Sequence, residues 1–243
     1  YDTLISKISS DQMTEPIHVL SPLDGRYTDM TAPLNAYFSE FAFLRDRVRL
    51  ELDVLSALSK TGIFRPLTIS ESTRLESIKS NFSSTDAGSI RAHERETRHD
   101  VKAIEYFLQA ELQGTSLRDL LPWIHFGLTS EDVNNIAQGI ALRDSRDLIF
   151  LPALDALINS LREFVKQTRA FPMLARTHGQ FAVPTTLGKE FAVYIARLKT
   201  ARDEIAAHRF EAKLTGAVGN FNALQAAVPQ IDWLAFSKEF ISQ

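Results

Sequence analysis

Residues 34 to 58 read LNAYFSEFAFLRDRVRLELDVLSAL. Apolar side chains at Leu34, Phe38, Phe41, Leu44, Val48, Leu52, Leu55 and Leu58 recur at steps of three and four. That interval returns a side chain to one face of an α-helix, whereas a strand repeats every second residue. The stretch therefore predicts a long amphipathic helix. Pro33 stands where a helix can begin, and Gly62 where the chain can leave one.

The same period extends along the chain. DVKAIEYFLQAEL, residues 100 to 112, places Val101, Ile104, Phe107, Leu108 and Leu112 on one face, and Gly114 follows as a stop. TSEDVNNIAQGIALRDSRDLIF, residues 129 to 150, opens with Thr129 three residues before Asp132, a helix start resembling a capping box. Another helix is expected from Pro152 to about Arg169, and a last long one from about Thr186 to Leu214. Strand signals are poor throughout, so the expected fold class is all-α: an N-terminal helical domain followed by the first part of a long-helix bundle. The stretch QGTSLRDLLP, residues 113 to 122, is read as the boundary between domains spanning 17 to 118 and 119 to 243. Residues 1 to 16 read as a leader or disordered segment, because Tyr1 is not an initiator and Met13 is a candidate native start.

Composition narrows the class of function. The 243 residues are 44% hydrophobic and 23% charged, a balance that can bury a core. The net charge of −3 makes the chain no obvious electrostatic partner for nucleic acid or for an anionic membrane surface. No apolar run approaches the ~20 residues that span a bilayer, and the opening YDTLISKISSDQ lacks the apolar central segment of a secretory signal. The expected location is cytoplasmic. Cysteine is absent, which removes disulfides, thiolate zinc sites and cysteine nucleophiles.

Four polar islands interrupt the helical pattern. SPLDGRY, residues 21 to 27, is a proline–glycine turn presenting Arg26 and Tyr27. It is either a surface turn or a guanidinium–phenol pair for a phosphate or carboxylate oxygen. RAHERETRHDVK, residues 91 to 102, puts Arg91, Arg95, Arg98 and Lys102 on one stripe if it is helical, and a charge run of this kind is usually a solvated, ion-paired helix face. His93 and His99 are six apart, about 240° around a helix, so they do not share a face as zinc ligands would. His99 beside Asp100, close to a helix start, is the more suggestive pair. In HFGLTSEDVNN, residues 125 to 135, Thr129 and Ser130 are helix caps or anion ligands at free N–H groups, with His125 one turn upstream. In MLARTHGQFAVPTTLGKE, residues 173 to 190, Gly179 and Pro184 constrain a connection that holds His178, the side chain type best suited to proton transfer near neutral pH.

Taken in order, SPLDGRY, RETRHDVKAIEYFL, IHFGLTSEDVNN, LARTHGQFAVPTTLGKE and LTGAVGNFNA resemble the motif series of the adenylosuccinate lyase family, within the fumarase/aspartase superfamily. The resemblance runs from about residue 17 to the end. Gly179 and the HDVKA form favour this family over fumarases and argininosuccinate lyases, which tend to carry Leu after the corresponding His. The implied reaction is β-elimination of fumarate from adenylosuccinate, giving AMP, and from the succinylated aminoimidazole-carboxamide nucleotide. The resemblance makes His178 the general acid, with His99 assisting at the same end of the substrate. It makes Arg26, Tyr27, Arg98, His99, Asp100, Thr129, Ser130 and His125 substrate-binding residues, with Asn220 of GAVGN a further candidate. No metal or organic cofactor is implied, and the family assembles as a homotetramer.

Two departures stand out. Arg98 occupies a position where some relatives have Asn. The family's serine loop, SSxMPxKxNP, which carries the catalytic base, has no counterpart in residues 1 to 243. The chain is therefore expected to be an N-terminal fragment with little or no turnover alone. The alternatives are a non-catalytic helical nucleotide-binding or oligomerisation module, and another lyase of the superfamily.

Overall fold

The computed structural model describes residues 19–242, so the leader expected over residues 1 to 16 lies outside the described residues. The chain divides into two compact units, one within Tyr1–Gln138 and Ala212–Gln243, the other Gly139–Glu211.

The first unit is built on α1 (Glu40–Leu58). This helix starts later than the apolar repeat suggests. Ser39 is extended, with ψ of 158°, and its hydroxyl accepts the N–H of Ala42 at 3.1 Å, so the helix is capped there. Leu34 falls in a separate 3-10 turn, Ala32–Leu34, and Asn35–Phe38 forms a single turn of its own. Leu44, Val48, Leu52 and Leu55 of α1 meet Leu75 and Ile78 of α2 (Ile69–Ser80), Ile90 of α3 (Ser84–Thr97), and Ile104, Phe107, Leu108 and Leu112 of α4 (Asp100–Gln113). Burying each of these side chains contributes about 1.5–3 kcal/mol against the entropy of ordering the chain. Thr68 and Ser83 each open their helix with a complete capping box. The stretch 113 to 122 lies largely within a 3-10 helix, Ser116–Trp123, whose Leu117 and Leu120 join this core.

Arg65 ties that 3-10 helix to α2. Its guanidinium donates to both oxygens of Asp119 at 2.8 and 2.9 Å and to both oxygens of Glu71 at 2.8 and 2.9 Å. The Arg65 hydrogen bond lowers the Glu71 pKa to about 2 despite the opposing effect of burial, with help from Thr68 and Ser116. A carboxyl held below its ordinary value gives stability that is complete above its unfolded pKa and is lost as pH falls toward the folded one. Acid unfolding is therefore expected to begin below about pH 4.5. Glu71→Gln should flatten the stability profile between there and pH 2, which urea titrations at a series of pH values would show.

A second apolar cluster in this unit joins Val54 and Leu58 to Leu224, Val228 and Trp233 from the returning chain, where α8 (Asn222–Ala227) and α9 (Trp233–Ile241) lie. Before that return, α5 (Ser130–Ser145) passes through a π turn, Arg146–Phe150, into α6 (Leu151–Thr168). Pro152 explains the turn, since a proline has no N–H to donate and its ring crowds the carbonyl four residues back. The boundary between the two units falls inside α5.

In the second unit, α6 packs on α7 (Leu187–Ala207). Gly188 permits the approach: a Cβ there would stand 2.7 Å from the Arg169 backbone and 2.8 Å from the Val165 carbonyl oxygen. Phe164 and Phe191 meet edge to face at 4.8 Å, and Arg202 grips both oxygens of Asp155 at 3.0 and 2.9 Å. Two expectations are corrected here. The helix predicted to reach Leu214 ends at Ala207, where Arg146 donates to the carbonyls of Ile205 and His208 and lies over the Phe210 ring. The connection between α6 and α7 is not strand-free. It is an antiparallel hairpin of β1 (Pro172–Thr177) and β2 (Gln180–Thr186).

Candidate active site

Among the described residues, four that are not glycine have positive φ: Arg98 at 53°, His125 at 58°, His178 at 51° and Phe221 at 58°. The left-handed region costs an L-residue roughly 1–2 kcal/mol, and such positions gather where function holds the chain in place. Three of the four are candidate site residues, and the fourth follows Asn220 directly.

Arg26 and Tyr27 lie at the end of a compact turn in which Tyr27 N–H donates to the Pro22 carbonyl at 2.9 Å and Thr28 N–H to that of Gly25 at 3.1 Å. Both side chains are exposed, and with Ser21, Pro22 and Gly25 they line a shallow open hollow.

Arg98 closes α3 in the left-handed conformation, its N–H on the Glu94 carbonyl at 2.7 Å, a place where Gly or Asn is the usual occupant. Arg98→Gly is thus expected to stabilise the fold by about 1 kcal/mol. If Arg98 binds ligand, the same change weakens nucleotide binding, so thermal unfolding and calorimetry on one variant should move in opposite directions. His99 then caps α4: its Nδ1 accepts the N–H of Lys102 at 3.2 Å. An accepting Nδ1 carries no proton, so the proton of the neutral ring is on Nε2, and the half-exposed side chain offers a donor to solvent. Asp100 takes a 2.7 Å hydrogen bond from Arg47, whose guanidinium is buried against the Phe43 ring. Burial alone would raise the Asp100 pKa, but the charge of Arg47, the Val101 N–H and the Arg47 hydrogen bond together hold it below the usual value.

His125 has the opposite arrangement. Its Nδ1 lies 2.6 Å from one oxygen of Glu51, and its backbone N–H donates to the other at 3.1 Å. The backbone N–H marks the carboxyl as an acceptor at one oxygen, and with the other oxygen accepting as well, Nδ1 carries the proton. Burial would lower the His125 pKa. The Glu51 hydrogen bond and charge, with a further push from Glu105, raise it above the ordinary value, and Lys102 opposes them weakly. Glu105 and Lys102 lie on the helix that His99 caps, which brings the second and third polar islands into one neighbourhood.

Thr129 and Ser130 begin α5, and the residue that organises them is Asp132. Its carboxylate, with no exposed surface, accepts the Thr129 N–H at 3.0 Å, the Thr215 N–H at 3.1 Å, the Gly216 N–H at 3.0 Å and the Lys213 ammonium at 2.7 Å. Asn135 adds a reciprocal pair with the backbone of Lys213 at 2.8 and 3.1 Å. Together they latch the LTGAVGN segment onto the start of α5 and leave Asn220 exposed on its turn.

His178 stands at the tip of the hairpin. Thr177 pairs with Gln180, so His178 and Gly179, at φ of 51° and 75°, form a two-residue turn of type I′. Histidine is among the residues that tolerate this region. The side chain is exposed, and Arg176 stacks on Phe181 at 5.1 Å within the same hairpin. A bulge puts one extra residue in β2 next to Pro184, which has no N–H for the ladder.

Sequence reading did not single out Glu51, Asn135 or Lys213, and took Asp132 only as part of a helix start. A signal for Glu51 exists: with Leu44, Val48, Leu55 and Leu58 it falls on the buried stripe of α1, where an acid requires a partner. Among the described residues no group of His, Asp and Glu side chains is gathered to hold a metal, and no helix is long and apolar enough to cross a membrane.

Comparison with solved structures defines the fold class. A fumarate lyase from Mesorhizobium superposes with a TM-score of 0.70 at 20% identity, covering 87% of this chain and 47% of that one. A carboxymuconate cycloisomerase from Acinetobacter calcoaceticus gives 0.68 at 22% identity, covering 86% and 48%. The chain shares the fold of these two structures, which among the described residues is all-α apart from one two-stranded hairpin. Residues 25–241 match the family model Lyase_1, described as lyase, and the chain belongs to that family. Its sequence is similar to the adenylosuccinate lyases of Haemophilus influenzae, 41% identical over 227 residues, and of Vibrio cholerae, 40% over 228 residues. Each alignment covers 92% of this chain and 50% of the relative, so the chain spans about half the length of the curated relatives it matches.

Proposed function

We propose that residues 1 to 243 supply the first part of an adenylosuccinate lyase active site. The reaction is β-elimination of fumarate from adenylosuccinate to give AMP, and from the succinylated aminoimidazole-carboxamide nucleotide. The observation that carries this reading is the coincidence of the left-handed residues Arg98, His125 and His178 with the motif segments that resemble the family.

The chemistry needs an acid for the departing nitrogen, a base for the proton beside a carboxylate, and donors that hold charge on the carboxylates. His178 is the acid, placed at the hairpin tip, and His99 assists through its Nε2. Arg26, Tyr27, Arg98, Asp100, Thr129, Ser130, His125 and Asn220 bind the phosphate, the carboxylates and the nucleoside. The serine base belongs to a segment that these residues do not contain. In this reading the chain is the N-terminal helical domain, 17 to 118, with the first part of the bundle, 119 to 243. The working enzyme is a cytoplasmic homotetramer that needs no metal or organic cofactor.

Calorimetry with AMP tests the binding half of this reading. Binding that Arg26→Ala weakens supports it. A folded chain with no affinity for AMP, or affinity that Arg26→Ala leaves unchanged, contradicts it.

A further inference from the structure

We propose that Glu51 is a positioning residue whose carboxylate clamps His125 through the ring Nδ1 and the backbone N–H together, so that the ring offers Nε2 as an imidazolium donor to an anionic group of the ligand. The inference deepens the proposed function and rests on it for the identity of the ligand.

Glu51 lies in the middle of α1 on its buried stripe, with no exposed side-chain surface. A carboxylate in such a place is costly unless it is paired and hydrogen-bonded. Both of its oxygens are spent on one residue 74 positions away, at 2.6 and 3.1 Å. That double contact also accounts for the left-handed backbone of His125, since the N–H and the ring can reach one carboxylate together in that conformation. With Nδ1 committed, no group among the described residues hydrogen-bonds Nε2, and the side chain keeps 15% of its surface open. A neutral ring in this tautomer would present Nε2 as an acceptor, the wrong polarity for a phosphate or carboxylate. A protonated ring presents a donor with a positive charge, which is what an anion needs. The charged groups bearing on the ring are Glu51 and Glu105, which favour protonation, and Lys102, which opposes it and is itself paired with Glu105 at 2.7 Å. Because protonation is favoured, anion binding is retained at neutral pH and lost as pH rises through the elevated His125 midpoint.

The test uses the 243-residue chain, with long-range proton–nitrogen NMR on its histidines and calorimetry with AMP and, separately, fumarate. His125 should be protonated at Nδ1 and titrate above an ordinary histidine, and Glu51→Gln should lower that midpoint by about one unit or more. At pH 7.5 the same variant should bind one of the probes about tenfold more weakly, and the deficit should shrink as the pH is lowered and the variant's ring takes up its proton. Loss toward AMP assigns the phosphate, and loss toward fumarate a carboxylate. Should Glu51→Gln fail to fold, His125→Gln must show the same loss and a flat pH dependence. An Nδ1 without its proton, or a midpoint unmoved by Glu51→Gln, overturns the positioning role. A wild-type chain with the predicted His125 signature and no affinity for either probe instead overturns the ligand assignment, and the proposed function with it.

Discussion

Asp132→Ala is expected to cost the folded chain about 3–5 kcal/mol, because three backbone N–H groups lose their acceptor at one buried carboxylate. The carboxylate has four donors: the N–H groups of Thr129, Thr215 and Gly216, and the Lys213 ammonium. None of the three amides has another acceptor at hand, and each left unsatisfied costs about 1–3 kcal/mol. Against a total stability of about 5–15 kcal/mol for a domain, such a loss is large. Asp132→Asn keeps the shape and one accepting oxygen and should lose less. Urea unfolding gives the free energies. Hydrogen exchange adds the location, because the amides of Thr215, Gly216 and Phe221 should lose protection first as the 213–221 segment comes off α5. A loss under 1 kcal/mol, or unchanged protection there, would show that the segment is held by something other than Asp132.

His178→Gln is expected to reduce kcat by a factor of about 10²–10⁴ in a chain completed to a working lyase, with KM nearly unchanged. Glutamine keeps a polar side chain at the hairpin tip but cannot give up a proton to the leaving nitrogen. The hairpin should tolerate the change, since His178 is exposed and the turn is set by two positive φ values and the Thr177–Gln180 pair. Intact circular dichroism with lost kcat places the defect in chemistry. A KM rise with kcat preserved would make His178 a binding residue instead.

The parts of the fold legible in the sequence are those governed by local period. The interior of α1, the whole of α4, and the run from α5 into α6 follow apolar spacing, and Pro152 and Gly114 fall at the ends they predict. The misplaced start of α1 has a simple cause: Leu34 and Phe38 continue the three-and-four spacing, and only the cap at Ser39 interrupts it. The hairpin was illegible because almost none of its residues is buried, so no face imposes an alternation of apolar and polar side chains. The end of α7 depends on Arg146, 59 and 62 residues away from the carbonyls it caps. The candidate site divides in the same way. Arg98, His125 and His178 stand out in local motifs, and the structure adds their left-handed backbone. The carboxylates that hold the motifs, Glu51 and Asp132, act mostly on partners 74 to 84 positions distant, where spacing carries no information; of these contacts the Thr129–Asp132 spacing alone is local.

The central claim is that these residues form part of a lyase site that needs a base from elsewhere. Fumarate release from adenylosuccinate tests it most directly, measured for the folded 243-residue chain alone and after joining it to the C-terminal half of a full-length adenylosuccinate lyase. The account predicts no release by the chain alone and turnover by the joined protein. Release by the chain alone would contradict it, because a base would then have to lie within residues 1 to 243.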